Sequence, residues 1–391
     1  MIKKRDFLWL AFFLIILING FEAGGYQASL LNIGKDYDLS NTSKGLFASV
    51  ELFATMLAPL FLGAWADRNN KINCLKIILF IQILAASLIT LINLKVVFIV
   101  GVFFLGLSTS ALQFITIAAL ADSYPLSYNQ KIGFLTSMYA LGAFIAPLIV
   151  SAYLKIGLSW KTLFLLIALA SVFAFLGLIK SNNYQKETVV NPDLEGETSG
   201  NFIILAIICL CIIMCIYVGF ENGFAFFIDS LFAQELNSNL GKYALSLFWI
   251  IMIPARVLVG YLGKYSKIIL LICIISIPSI ILLITNLINP IGILLLCIPL
   301  GFASGAIYPS VLNIAMPLAG SKKATATGMI TTATGIGGVC FTALTGFVGG
   351  QYNLRVAILV LAAFFLISLI ALLILIRITK KLNNKLESTS N

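Results

Sequence analysis

Histidine is absent from this chain, and with it the side chain that most often titrates near neutral pH or completes a metal site. Any proton chemistry near neutral pH therefore falls to carboxylates, in a sequence where all charged residues together make up only 10%. The cysteines Cys74, Cys209, Cys211, Cys215, Cys273, Cys297 and Cys340 lie in or beside apolar runs, in no CxxC spacing. Neither a metal site nor a redox pair is expected from them, and no cofactor is expected at all. A nucleophile–base pair and a phosphate-binding loop are also lacking, which disfavours an enzyme. So is the alternating pattern of a membrane β-barrel, leaving helices as the spanning structure.

What is abundant is apolar sequence: 60% of residues are hydrophobic and the mean hydropathy is +1.05. A membrane-crossing helix needs roughly 20 apolar residues. Twelve such runs occur, at Phe7–Leu31, Gly45–Ala66, Cys74–Leu94, Val96–Leu120, Ile132–Leu154, Thr162–Ile179, Phe202–Phe227, Tyr243–Leu262, Ile268–Leu287, Ile291–Ile314, Ala324–Val348 and Val356–Ile376. "MIKKRD" resembles the start of a signal peptide, but the run after it is too long for one, so the first span is expected to be retained. The expected class is an all-α membrane protein of twelve transmembrane helices.

The net charge of +10 reflects topology rather than a nucleic-acid partner. If the N-terminus is inside, Lys3, Lys4, Arg5, Arg68, Lys71, Lys76, Lys131 and the basic C-terminal tail fall on one side. The opposite side holds the smaller set Lys35, Lys44, Lys95, Lys155, Lys161, Lys242 and Arg355. This places both termini in the cytoplasm, with the lipid bilayer as the surrounding partner. The preponderance of lysine over arginine suggests a bacterial inner membrane.

One polar segment, "KSNNYQKETVVNPDLEGETSG", divides the chain into a six-helix bundle over residues 1–180, a cytoplasmic linker over 181–200 and a second bundle with a short tail over 201–391. The bundles echo one another. "GFEAG" at Gly20–Gly24 recurs as "GFENG" at Gly219–Gly223, and "LGAWADR" at Leu62–Arg68 as "VGYLGKY" at Val259–Tyr265. Duplicated halves of this kind suit a transporter with its site between them near mid-membrane.

Glu22 sits inside the first span, where an acid costs about 2.5–3.5 kcal/mol on insertion scales and so faces a cavity or a partner. Asn19 and Tyr26 share its helical face. Glu221 holds the matching place in the seventh span, one turn after Tyr217, and Arg256 of the eighth span is its candidate partner. Trp249 shares the face of Arg256 and could supply an aromatic wall. Glu51, in the second span, reads as lying nearer the outer surface. In the fourth span Thr109, Gln113 and Thr116 form a polar stripe, and Ser304, Tyr308 and Asn313 a weaker one in the tenth. Such stripes serve either a polar solute or helix–helix contacts.

"GAWADRNNK", Gly63–Lys71, resembles the signature of the major facilitator superfamily between its second and third helices: Gly63, Asp67, Arg68 and Lys71 match, while Asn69 and Asn70 depart from it. Gly133, Gly142 and Pro147 resemble the superfamily's fifth-helix motif, which is commoner in antiporters, with Ala146 where glycine is usual. The resemblance implies the two-bundle major facilitator fold, with Gly63, Asp67, Arg68, Lys71, Gly142 and Pro147 in gating. "YVGFENG", "LFWIIMIPARVLVGYL" and "GFASGAIYPSVLNIA" are similar to the fucose/galactose/glucose:proton symporter branch. That branch associates an acid in helix one with proton coupling, and Glu22 falls there. Its second acid, in helix four, has no counterpart; Gln113 stands near that position.

The expectation is thus a monomeric, proton-coupled secondary transporter for a small polar solute, a sugar for instance. Glu22 would couple protons, and Asn19, Tyr26, Gln113, Tyr217, Glu221, Trp249, Arg256, Tyr308 and Asn313 would contact substrate. Efflux antiport of amphipathic compounds is the alternative within transport, and a nontransporting membrane sensor the alternative outside it.

Overall fold

The computed structural model describes residues 5–123, 128–180, 203–319 and 323–390; the inferred linker, 181–200, lies outside them. The first half contains α1 (Arg5–Asp36), α2 (Asn41–Arg68), α3 (Lys71–Leu91), α4 (Lys95–Ser123), α5 (Tyr128–Lys155) and α6 (Thr162–Lys180). The second contains α7 (Ile204–Glu235), α8 (Gly241–Tyr261), α9 (Ser266–Asn286), α10 (Pro290–Leu318) and α11 (Lys323–Gln351), then α12 (Leu354–Ala363) and α13 (Phe365–Ser390). The last two share a single span, so among the described residues twelve helical spans are long and apolar enough to cross a membrane. No strand occurs among the described residues.

Helices outrun the apolar segments that announce them. α7 continues past Phe227 to Glu235 because hydropathy marks only the hydrocarbon, whereas a helix stops where its end groups find other partners. Asparagines supply several starts: Asn70, Asn289 and Asn353 accept backbone N–H bonds at the beginnings of α3, α10 and α12.

The packing repeats between halves. α1 lies on α5 as α7 lies on α11, and α2 lies on α4 as α8 lies on α10. Lipid tails are as apolar as leucine, so these helices gain by close backbone approach rather than by escaping water. A Cβ added at Gly20 would sit 1.9 Å from the Tyr139 carbonyl oxygen, and one at Gly337 would sit 1.9 Å from that of Cys215. These are the corresponding α1–α5 and α7–α11 contacts. Between the halves, α2 packs on α11 and α5 on α8, again in the same pseudo-symmetric sense.

Candidate functional site

Asn19 and Glu22 of α1 are both 0% exposed. Asn19 Nδ2 donates to the Thr109 carbonyl oxygen of α4 at 2.9 Å. Gln82 of α3 donates through Nε2 to Thr109 Oγ1 at 3.4 Å, and Ser171 Oγ of α6 lies 3.0 Å from Gln82 Oε1. A polar thread therefore runs through four helices of the first half. Beside it, neither oxygen of Glu22 nor Asn19 Oδ1 has a hydrogen-bond partner among the described residues. Unpartnered buried polar atoms are costly, which singles out this spot.

Glu51 belongs to the same spot. It is 4% exposed, and its backbone and Cγ press on α4 at Gly106, where an added Cβ would lie 2.4 Å from the Glu51 carbonyl oxygen. Gly106 and Thr109 are one turn apart, so α4 receives Glu51 and Asn19 on one face. Glu22 and Glu51 are close enough to feel each other's charge. Glu51, read from its place in the run as nearer the outer surface, is buried against Gly106 of α4 and within electrostatic reach of Glu22, an approach set by how α2 packs on its neighbours.

Tyr26 is wholly buried among Phe98, Phe164 and Phe226, at ring-centroid distances of 6.2, 6.5 and 5.4 Å. The last contact crosses from α1 to α7. Asn19 and Tyr26 are thus closed off from solvent in this conformation.

In the second half the Tyr217 hydroxyl donates to Glu221 Oε2. Arg256 of α8 lies within electrostatic reach of Glu221 and beside Tyr217, and its Nε has no hydrogen-bond partner among the described residues. The pairing expected of Glu221 and Arg256 is accordingly one of charge influence with Tyr217 between them. Tyr308 of α10, 39% exposed, feels the charges of both. Trp249 Nε1 donates to Gln27 Oε1 at 3.1 Å, a buried bond between the halves.

Tyr139 of α5 joins the two sets. Its ring centroid lies 6.5 Å from that of Trp249, and it is within electrostatic reach of Glu22 and Glu51 on one side and of Glu221 and Arg256 on the other. Sequence reasoning passed over this residue. The available signal was its place one turn before Gly142, whose added Cβ would meet the Leu17 carbonyl oxygen at 2.2 Å. Glycines at positions 20 and 142 draw α5 onto α1 and so carry Tyr139 toward Glu22.

The Major Facilitator Superfamily sequence model matches residues 12–339, most of the chain. The chain belongs to this superfamily. It is 23% identical over 316 residues to the glucose/mannose transporter GlcP of Bacillus subtilis (strain 168), an alignment covering 76% of this chain and 75% of that one. It is 24% identical over 163 residues to the glucose transporter GlcP of Staphylococcus epidermidis (strain ATCC 12228 / FDA PCI 1200), covering 41% of this chain and 36% of that one. Its fold matches the crystal structure of a bacterial homologue of the human lysosomal transporter Spinster, inward-facing and unoccupied. The TM-score is 0.78 at 13% identity, over 96% of this chain and 98% of the other.

In this superfamily transporter the motif residues divide by place. Among the described residues nothing lies within 4 Å of a Cβ added at Gly63. Arg68 is exposed at the end of α2 and Lys71 opens α3, while the Asp67 side chain lies outside the described residues. The departures Asn69 and Asn70 have local work: Asn69 Nδ2 donates to the Trp65 carbonyl oxygen at 2.8 Å, and Asn70 caps α3. Gly142 and Pro147 are buried inside α5. Gln113 is exposed on α4. Asn313 is separate from the central group, bonding Ser266 Oγ at 3.2 Å by the start of α9.

Hydrogen bonds clasp the halves of the transporter at the end bearing the α1–α2 and α7–α8 connections. Lys44 Nζ donates to Ser230 Oγ at 3.2 Å and Asn41 Nδ2 to the Gly349 carbonyl oxygen at 3.2 Å. Lys155 Nζ donates to the Tyr243 hydroxyl at 2.8 Å. At the far ends of α2 and α8, a Cβ added at Gly63 or Gly260 meets nothing within 4 Å among the described residues.

Proposed function

We propose that this transporter couples proton movement to uptake of a small polyhydroxylated solute of the sugar class, in a bacterial cytoplasmic membrane with both chain termini inside. The observation that carries the reading is Glu22, wholly buried beside Thr109 with neither oxygen in a geometric hydrogen bond among the described residues. An acid in that position is neutral when it holds a proton and an uncompensated charge when it does not, so its protonation biases which packing of the halves is favoured. Glu51 shares the site and makes the binding of one proton sensitive to the other group.

The solute side is Tyr217, Glu221, Trp249, Arg256 and Tyr308, with Tyr139 linking it to the acids. Carboxylate, guanidinium and phenol groups around an indole suit hydroxyl-rich molecules, which offer donors and acceptors on their edges and C–H faces for stacking. The similarity to glucose and glucose/mannose transporters supports a sugar. With the termini inside, the clasped end is the external one. Proton and solute then bind together on the outside, and the halves rock about the site.

The test is solute-driven proton flux in liposomes carrying wild type or Glu22→Gln, screened with hexoses and amphipathic cations. Sugar-dependent proton entry that Glu22→Gln abolishes is the expected result. Coupled entry that persists in the variant overturns the role of Glu22, and proton counterflow with cations overturns uptake in favour of efflux antiport.

A further inference from the structure

The two repeats of the α2–α3 signature differ in charge. With Gly260 set on Gly63, Lys264 takes the position of Asp67 and Tyr265 that of Arg68. An acid in the first half is thus a base in the second. This segment forms a 3-10 turn, Gly263–Tyr265, between α8 and α9.

A cavity of about 310 Å³ opens there, between the turn, the first residues of α9, the end of α10 and Thr379 of α13. Its polar lining is Lys264, Ser266, Lys267, Asn313 and Thr379, with no carboxylate among the described lining residues. The lining is ordered by its own bonds. Asn313 Nδ2 donates to Ser266 Oγ, and Lys267 Nζ donates to Thr379 Oγ1 at 2.8 Å. Lys264 Nζ lies 4.8 Å from the centroid of the Tyr265 ring. Each ammonium carries three N–H donors and an amide two, so both lysines and Asn313 keep donors for a further acceptor. Fixed donors and two cations without an acid describe a receptor for an oxyanion.

The surroundings identify its source. Tyr261 and Tyr265, 86% and 46% exposed, stand at the junction of two spans, where aromatic side chains favour the headgroup level. Pro317, Ile314 and Leu318 form an apolar wall, and α9 continues from the cavity with Ile268 and Ile272 58% and 57% exposed. An apolar track leading from a basic pocket at the membrane face matches a phosphate that carries acyl chains.

We propose that this cavity binds the phosphate of an anionic phospholipid headgroup. The full-length protein would be placed in phosphatidylcholine nanodiscs with increasing phosphatidylglycerol, reading Tm and the lipids retained in native mass spectra. Phosphatidylglycerol is expected to stabilise the wild type. Lys264→Gln should weaken the affinity for phosphatidylglycerol, read from the lipid retained, about fivefold and the Lys264→Gln/Lys267→Gln pair about 25-fold, at about 1 kcal/mol per surface lysine. Lys264→Arg should restore it, and Lys95→Gln, on α4, should leave it unchanged.

Lys264 is exposed, so its substitution spares the Lys267–Thr379 bond and keeps the test readable if the pair variant fails to fold. A phosphatidylglycerol response of wild-type strength in Lys264→Gln overturns the proposal. So does equal stabilisation by inorganic phosphate in pure phosphatidylcholine, which would assign the cavity to the free anion.

Discussion

Replacing Asp229 by asparagine should loosen the clasped end. Asp229 of α7 is 4% exposed and ion-paired with Lys242 of α8. Lys44 of α2, 2% exposed, donates to Ser230, lies 5.9 Å from the Phe227 ring centroid and is within electrostatic reach of Asp229. One carboxylate therefore balances two cations from different helices and different halves. Removing one partner of a fully buried pair costs about 3–5 kcal/mol, and an exposed pair is worth about 0–1. Lys242 shares the second half with Asp229 and loses its partner in both states, so only the lost attraction on buried Lys44 distinguishes them, about 2 kcal/mol at this longer range. That cost falls on the clasped state alone, since moving α2 away from α7 hydrates Lys44. At 1.4 kcal/mol per tenfold, the population should move about 30-fold toward the separated state. Spin labels at Leu94 and Ile288, 60% and 80% exposed, would report this as a longer electron–electron distance in liposomes. Asp229→Glu, which keeps the charge, should stay clasped. Unchanged distance distributions in Asp229→Asn would refute the assignment of Asp229 as the common counter-charge.

Tyr139→Phe should lower transport about tenfold with Tm unchanged, the loss of one hydrogen bond to a charged group formed during turnover at about 1.5 kcal/mol, since its hydroxyl is within electrostatic reach of Glu22 and Glu221; wild-type rates would remove Tyr139 from the site. Gly337→Ala should lower Tm by several degrees, because its Cβ would meet the Cys215 carbonyl oxygen at 1.9 Å, while Gly63→Ala, with nothing within 4 Å among the described residues, should melt as wild type does. Melting curves in detergent decide between these two. Gln82→Leu cuts the thread between Thr109 and Ser171 and should cost about 1–3 kcal/mol of stability, measured by denaturation in micelles.

Most of the architecture could be read from the chain before any coordinates, because a bilayer constrains it so strongly. Runs of about 20 apolar residues have one viable backbone arrangement. The pair GFEAG and GFENG then announced two equivalent bundles, and the α1–α5 and α7–α11 contacts follow that repeat. Glu22, Tyr217, Glu221 and Arg256 stood out for the same reason, since a polar side chain in hydrocarbon advertises itself. Which of them meet could not be read there. Helical periodicity places Asn19, Glu22 and Tyr26 on one face but leaves open what that face touches. The answer is Thr109 for the first and an aromatic cluster with Phe226 for the last. Glu51 and Tyr139 depended on the rotation of α2 and α5, which close glycine contacts set between helices far apart in sequence. Asn313, one of a polar stripe by spacing, lies with Ser266 away from the central residues. Composition and period determined that this is a duplicated twelve-span helical membrane protein with acids inside it. The partners of those acids were decided by interhelical packing, whose rotations no single helix encodes.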